Sequence, residues 1–135
     1  MFDDEFYREM ILDHARTPRN WGLLQPADFD HEESNPLCGD HLHLTLQIDE
    51  NEVIKAVGWE GHGCAISQAS ASMMGELLIG KTLKDAEQMT AAEVLELVGV
   101  RLTPNRMKCA LLSLKVLLVG TQGLHSWEKV EDELL

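Results

Sequence analysis

The chain has 135 residues, which is enough for one domain with a real core and too little for two ordinary ones. Its acidic residues outnumber its basic residues by 23 to 11, so the formal net charge is −12. This surplus repels a nucleic-acid phosphate backbone and an anionic membrane surface, and we expect neither as a partner. No stretch resembles a linker or a repeat, so we expect a single domain over residues 1–135.

The sequence contains no feature of export or of membrane insertion. It opens without the basic start and apolar stretch of a secretory signal, and the longest apolar run, residues 110–120, is interrupted by polar residues. A membrane span needs about 20 apolar residues. The 3 cysteines are an odd number, which does not favour a disulfide framework. We therefore expect a cytoplasmic protein whose reduced thiols serve metal binding or sulfur chemistry.

The first predicted element is an amphipathic helix. Apolar side chains recur at helical spacing after Asp3, and Pro18 should end the helix near Thr17. Residues 22–33 are expected to form a loop or an edge strand.

A β-hairpin should follow. Residues 41–48 alternate in polarity, with leucine and isoleucine side chains on one face and His41, His43, Thr45 and Gln47 on the other. Such alternation is typical of a half-buried strand. Residues 49–51 then predict a turn into a second, antiparallel strand over residues 53–59.

Helices dominate the rest of the chain. The period changes to three and four residues after Gly63, which predicts a helix over residues 65–78 with Ile66, Ala69, Met73 and Leu77 on its apolar face. The small residues of this helix should let another backbone come close. Later helix starts are indicated by three threonines and their downstream partners: Thr82 with Asp85, Thr90 with Glu93, and Thr103 with Pro104. The helix after Pro104 should run to Val119, and the acidic tail should form a solvated helix face. The predicted class is α+β.

The three cysteines are too far apart for a CxxC knuckle, so their surroundings carry more information than their spacing. Cys38 lies in a turn-forming string before the first strand of the hairpin. Cys64 opens a helix, where the positive end of the helix dipole favours a thiolate. Cys109 has Arg106 and Lys108 as near neighbours, and these cations favour a thiolate as well.

Two interpretations of the cysteines remain open at this point. Cysteines in helical proteins are often small buried hydrophobes. If the three thiols converge instead, a tetrahedral site needs one more ligand, and the candidates are Asp40, Lys108 and His62, of which Asp40 is the best. Three thiolates and a carboxylate suit zinc or an iron–sulfur cluster.

Three other histidines allow weaker hypotheses. His41 and His43 have the spacing of metal ligands on a strand, although solvated strand histidines are commoner. His14 is expected to be a partly buried helix residue.

Several motifs together resemble one known family, the IscU/NifU-type iron–sulfur scaffold proteins. These motifs are residues 7–14 (YREMILDH), 18–22 (PRNWG), 38–40 (CGD), 61–67 (GHGCAIS), 70–74 (SASMM) and 106–109 (RMKC). The resemblance covers residues 6–119. It implies an α+β fold in which about five helices pack on a small three-stranded antiparallel sheet, with the three cysteine loops meeting at one end.

The resemblance also implies roles for particular residues. Cys38, Cys64 and Cys109 correspond to the metal or cluster ligands, and Asp40 corresponds to the aspartate that tunes or completes the site. Lys108 stands where the IscU branch has a ligating histidine, and with Arg106 as a second supporting residue it resembles the SufU branch. The chain lacks the longer segment that SufU proteins carry between the second and third cysteines. It also lacks the chaperone-binding string of IscU, in whose place stand residues 102–106 (LTPNR).

Three functional hypotheses follow. The first is a scaffold rather than a turnover enzyme: it takes sulfur from a cysteine desulfurase, builds a [2Fe–2S] cluster on three cysteines and Asp40, and passes it to apo-proteins or carrier proteins. The second is a SufU-type zinc-dependent sulfurtransferase, in which Zn²⁺ holds the thiolates until Cys38 or Cys109 accepts sulfur. The third is an interaction domain with a structural zinc. The acidic surface suits a desulfurase with a basic docking patch.

Overall fold

The computed structural model describes residues 3–36 and 39–134. Its elements in chain order are α1 (Asp4–Arg16), β1 (Phe29–Asn35), β2 (Asp40–Ile48), β3 (Ile54–His62), α2 (Ala65–Leu78), α3 (Leu83–Ala86), α4 (Ala91–Val98), α5 (Pro104–Gln122) and α6 (Leu124–Leu134). The predicted α+β class with one three-stranded antiparallel sheet is confirmed. The described ranges contain six helices, of which the four-residue α3 is capped by Thr82.

The sheet has the strand order β1-β2-β3, with both neighbouring pairs antiparallel. Its inner face is apolar along β2, where Leu42, Leu44 and Leu46 are buried. The predicted alternation is thereby confirmed. β3 extends three residues beyond the predicted end at Trp59, because its pairing with β2 continues to His62.

The polar face of the sheet is not solvated along its whole length. Thr45 was expected in solvent but is only 1% exposed. Its hydroxyl donates to the carbonyl of Gly58 at 2.6 Å and accepts from the backbone N–H of Leu24 at 3.0 Å. The segment after α1 therefore covers this end of the face and satisfies the buried hydroxyl.

Helix α5 is the centre of the core. Its buried leucines pack with the inner face of the sheet and with α2 in one apolar cluster. A second cluster lies between α1, α2, α4 and α5 and contains Ile11, Ile66, Ala69, Val98 and Cys109. Leu77, predicted on the buried face of α2, is 36% exposed instead.

The helix ends follow their capping signals. Thr90 and Glu93 form a complete capping box at the start of α4, and Thr103 caps α5 with Pro104 at its first helical position. α5 passes the predicted end and reaches Gln122. Gly120 lies within the helix, and a Cβ there would stand 2.5 Å from the ring of Phe29, so the missing side chain makes room for that ring.

The small residues of α2 admit close neighbours, as predicted. Ser70 donates a hydrogen bond of 2.6 Å to the carbonyl of Ala110 on α5. Ser72 lies 2.7 Å from Nδ1 of His14 on α1, and its hydroxyl accepts the backbone N–H of Arg19. His14 itself is buried. Within the described ranges, none of the helices combines the length and apolarity that a bilayer crossing requires.

Candidate metal centre

Asp40 is the first residue of β2. It pairs in register with Asn35, the last residue of β1, and the backbone N–H of Gly39 donates to the carbonyl of Asn35 at 2.9 Å. The Asp40 side chain is directed to the inner face of the sheet and the residue is 1% exposed. Burial of a carboxylate is expensive unless it has partners, and its position therefore needs the contacts described next.

Asp40 and Cys64 are joined across the turn that precedes α2. Oδ1 of Asp40 accepts a hydrogen bond of 3.0 Å from the backbone N–H of Cys64, and Oδ2 lies 4.0 Å from Cys64 Sγ. Gly63 between them has φ +149°, and a Cβ there would lie 2.0 Å from Oδ1 of Asp40. Glycine at position 63 is therefore what allows the carboxylate to reach the cysteine.

Cys64 occupies the N-cap position of α2, as the sequence predicted. Its side chain makes no capping hydrogen bond, and the residue is half-buried. Ser67 secures the first turn, since its hydroxyl donates to the carbonyl of Cys64 at 3.0 Å. The sulfur of Cys64 is thus directed toward Asp40 rather than used to cap its own helix.

Cys109 reaches the same place from α5. It lies in the second turn of that helix, is 5% exposed and packs in the second apolar cluster. The ligand atoms of Asp40, Cys64 and Cys109 all lie within 4.8 Å of one another. The interpretation of Cys109 as a small buried hydrophobe is therefore true of its packing but incomplete, because its sulfur also faces a second thiol and a carboxylate.

The fourth predicted ligand, Cys38, lies outside the described residues. It stands two positions before Asp40 in the sequence, and its role remains a prediction.

The other two candidates for a ligand, Lys108 and His62, make other contacts. Lys108 is half-buried and lines a cavity of about 220 Å³ together with Asn35, Leu112 and Trp127. The ring of His62 stacks on that of His41 with centroids 5.6 Å apart. Among the described His, Cys, Asp and Glu side chains, Asp40 is gathered with the two thiols and His62 is not.

Arg106 belongs to a local basic patch. With Arg8 and Arg101 it lines an open cavity of about 470 Å³ whose wall includes Ile66, two residues after Cys64. All three arginine side chains are exposed. The net charge of the chain gave no indication of this patch, because its members come from α1 and from residues 101–106 and meet only in the folded protein.

The donor set defines the chemistry that this centre could support. Thiolates and a carboxylate within one coordination sphere suit tetrahedral zinc, for which bonds of about 2.3 Å to sulfur and about 2.0–2.2 Å to oxygen are usual. Cysteine sulfurs are also the ordinary ligands of iron–sulfur clusters. The residues present therefore fit either group.

Comparisons with known proteins agree with this geometry. Residues 6–130 match the model of the NifU-like N terminal domain. The chain is 36% identical to the zinc-dependent sulfurtransferase SufU of Bacillus subtilis, over 87% of this chain and 90% of that one. It is 35% identical to the iron–sulfur cluster assembly scaffold protein IscU of Thermotoga maritima, over 82% and 89% of the two chains.

A solved structure shows the same fold. It is a crystal structure from Fervidobacterium islandicum AW-1, described as an iron–sulfur cluster assembly scaffold for the SUF system, with a TM-score of 0.69 and 32% identity. The match covers 87% of this chain and 98% of that chain. The chain therefore belongs to the NifU-like N terminal domain family, the family of the IscU- and SufU-type iron–sulfur cluster assembly scaffold proteins.

Proposed function

We propose that this protein is a scaffold on which a [2Fe–2S] cluster is assembled from iron and from sulfur supplied by a cysteine desulfurase, and from which the cluster passes to apo-proteins. The observation that carries the proposal is the convergence of Asp40, Cys64 and Cys109 from three different elements, with ligand atoms within 4.8 Å of one another. Family membership supports it.

The ligand set suits a cluster that is cargo rather than a permanent cofactor. A [2Fe–2S] cluster takes four protein ligands, and Cys38, Asp40, Cys64 and Cys109 provide that number. Replacing one sulfur by a carboxylate oxygen weakens the hold of the site on iron, because thiolates are the ligands that iron–sulfur clusters prefer. A weaker hold allows release to a recipient.

Sulfur enters as a persulfide. A thiolate of this protein attacks the outer sulfur of the desulfurase persulfide, a new S–S bond forms, and the desulfurase thiolate leaves. Cys38 and Cys109 are the candidate acceptors. Because Cys109 is only 5% exposed, its sulfur becomes accessible to a persulfide only after the site opens on the partner. Mass spectrometry of persulfides on Cys38→Ser and Cys109→Ser identifies the acceptor.

Charge should assist the encounter with the desulfurase. A net charge of −12 attracts a partner with a basic docking patch, and such attraction raises association rates more than affinity. We expect the association rate to fall as salt is added. A rate that does not change with salt would remove the electrostatic part of this proposal.

Anaerobic reconstitution tests the scaffold function. The protein is incubated with a cysteine desulfurase, cysteine, a thiol reductant and ferrous iron, and the visible absorption of a cluster is followed. We expect a chromophore in the wild type that is lost in Cys109→Ser and kept in Ser126→Ala, a control on α6. Transfer of the chromophore to an apo-ferredoxin completes the test. Absence of a chromophore in the wild type would refute the scaffold function.

A second candidate is a zinc-dependent sulfurtransferase that stimulates the desulfurase. It is favoured by the 36% identity to the SufU protein over nearly the whole of both chains, and by Lys108 before the third cysteine. In that case the zinc-loaded protein raises desulfurase turnover, and Asp40→Ala abolishes the increase. Zinc-loaded protein that leaves desulfurase turnover unchanged would exclude this candidate.

A further inference from the structure

A second group of metal-ligating side chains lies on the opposite face of the sheet from the candidate metal centre. The group consists of Asp30, Glu32 and Ser34 on β1 and His41 and His43 on β2, and we call it the sheet-face cluster. In the register of the sheet Glu32 is opposite His43, and Ser34 is opposite His41. Successive side chains of a strand point to opposite faces, so His41 faces away from the site to which its neighbour Asp40 belongs.

Glu32 lies between the two imidazoles of the cluster. Its Oε1 is 3.5 Å from Nε2 of His41, and its Oε2 is 3.3 Å from Nδ1 of His43. Two ligands bound to one ion at about 2.1 Å and at a tetrahedral angle stand about 3.4 Å apart. Each Glu32 oxygen is therefore separated from the ring nitrogen that it faces by the distance expected of neighbouring ligands on a metal ion.

The remaining nitrogens of both rings already have the partners that ligating histidines use. Nδ1 of His41 lies 2.7 Å from the hydroxyl oxygen of Ser34, and Nε2 of His43 lies 2.6 Å from Oδ1 of Asp30. Ligating histidines almost always donate the other ring N–H to a carboxylate or another oxygen, and this fixes the tautomer and the ring orientation. With a metal on Nε2 of His41 and on Nδ1 of His43, both outer hydrogen bonds form as observed.

His43 is placed to hold a positive charge. Both nitrogens of His43 face a carboxylate oxygen, but a neutral imidazole carries only one N–H. A second proton on the ring satisfies both carboxylates, and so does a metal ion bound between Nδ1 and Glu32. The net charge of −12 adds to the attraction of this face for cations.

We propose that Glu32, His41 and His43 form a second binding site, for a divalent transition ion such as Fe²⁺, Co²⁺ or Zn²⁺, independent of the cysteines and of the function proposed above. Imidazole and carboxylate donors select ions of this class. Within the described residues, only Asp40, Cys64 and Cys109 have ligand atoms that all lie within 4.8 Å of one another, so the sheet-face cluster is wider than that and must contract around an ion. The side chain of Glu32 is 57% exposed, so it can change rotamer to follow an ion held by the imidazoles.

Cobalt titration of the untagged protein under anaerobic conditions tests the proposal. Cysteine-bound Co²⁺ gives a thiolate-to-cobalt charge-transfer band in the near ultraviolet, whereas Co²⁺ bound by imidazole and carboxylate does not. We expect two equivalents of Co²⁺ per chain by equilibrium dialysis, of which only one contributes that band. Nuclear magnetic resonance should show the ring signals of His41 and His43 perturbed by the other equivalent.

Two variants and one control locate the second ion. His43→Gln and Glu32→Gln should each weaken its binding at least tenfold and leave the thiolate band unchanged. His125→Gln removes an exposed histidine on α6 and should leave both equivalents in place. The proposal is overturned if the wild type binds one ion only, if both equivalents contribute thiolate bands, or if the second ion survives in both variants. None of these outcomes bears on cluster assembly at the cysteines.

Discussion

The hydroxyl of Ser70 donates a 2.6 Å hydrogen bond to the carbonyl of Ala110, the residue after Cys109. This bond joins α2, which begins beside Cys64, to α5, which carries Cys109. Both residues are buried, so the spacing of the two helices, and with it the spacing of the two sulfurs, depends on a small polar side chain at position 70.

Substitutions at Ser70 should separate the effect of its hydrogen bond to Ala110 from the effect of its small size on the spacing of α2 and α5. Ser70→Ala leaves the Ala110 carbonyl without this donor and should lower the free energy of unfolding by about 1 kcal/mol. Ser70→Val adds volume between the helices and should lower the free energy of unfolding by a further ~1–3 kcal/mol. Urea denaturation measures both changes. We also expect weaker Co²⁺ binding at the thiols in Ser70→Val only, and equal binding in both variants would contradict this account.

Gly63→Ala should damage the candidate centre directly. The added Cβ would lie 2.0 Å from Oδ1 of Asp40 and 2.8 Å from Oγ of Ser67, so the carboxylate must move. We expect the zinc affinity, measured by competition with a chromophoric chelator, to fall at least tenfold.

Gly80→Ala is the matched control for Gly63→Ala. Gly80 also has a positive φ, +92°, but a Cβ there meets nothing within 4 Å. Both variants should lose about 1–2 kcal/mol of stability from backbone strain. Only Gly63→Ala should lose zinc affinity, and an equal loss in both would show that strain rather than contact with Asp40 is responsible.

Asp40→Asn tests whether the carboxylate completes the ligand set. Asparagine keeps an oxygen that can accept the N–H of Cys64 but removes the charge, so the fold should be retained. Changes to outer-shell partners lower metal affinity by about 10–100-fold, and loss of a direct ligand should exceed that range. Lys108→Ala, measured in the same competition assay, should keep the wild-type affinity, because a protonated lysine offers no lone pair to a metal ion. A larger loss of zinc affinity in Lys108→Ala than in Asp40→Asn would show that Lys108 is the ligand.

Removal of the metal should leave the protein folded. The two apolar clusters involve the sheet and every long helix, and they do not depend on an ion. We expect a mild chelator to remove the metal while the far-ultraviolet circular dichroism stays native. Cooperative unfolding on chelation would instead indicate a structural zinc, as in proteins whose folding depends on metal binding.

His14 should make stability depend on pH. Burial, with the positive charge of Arg19, holds the pKa of His14 below its ordinary value of 6.5, against the opposing influence of Glu76 and Asp13. Below pH 6.5 the unfolded chain therefore binds a proton that the native protein does not, so the free energy of unfolding falls as the pH is lowered.

The variant His14→Gln isolates that contribution. Glutamine can keep a hydrogen bond with Ser72 but does not titrate. The difference between the wild-type and variant profiles of unfolding free energy against pH should flatten above pH 6.5 and slope below it. A difference that is constant with pH, or a His14 resonance that titrates above pH 6.5, would be inconsistent with a buried neutral imidazole.

The elements that local sequence determines could be predicted well. The capping residues Thr90 and Thr103 mark helix starts with their own side chains, and the alternation along β2 shows which face is buried. The end of α5 could not be predicted in this way. Glycine is a residue type that often ends a helix. At position 120 it lies inside α5 instead, because the ring of Phe29, from a distant part of the chain, occupies the space that a side chain would take.

The candidate centre was predictable in its residue types but not in its arrangement. Asp40, Lys108 and His62 each lie within two residues of a cysteine, and the sequence favours Asp40; the structure places Asp40 beside two thiols, whereas His62 stacks on His41. The basic patch around Arg106 gave no local signal, since its members come from two separate segments. The burial of Thr45 depends similarly on a segment that crosses the sheet from elsewhere.

The alternation of β2 means that two neighbouring residues present different donors to two different environments. A slip of the strand by one position would turn Asp40 toward solvent and carry the imidazole of His41 in among the thiols. The leucines at positions 42, 44 and 46 oppose that slip, because it would expose all of them at once. The identity of the ligand that meets the cysteines is thus maintained by aliphatic side chains that never touch a metal, and mutations of those leucines should be read as changes in coordination chemistry as well as in stability.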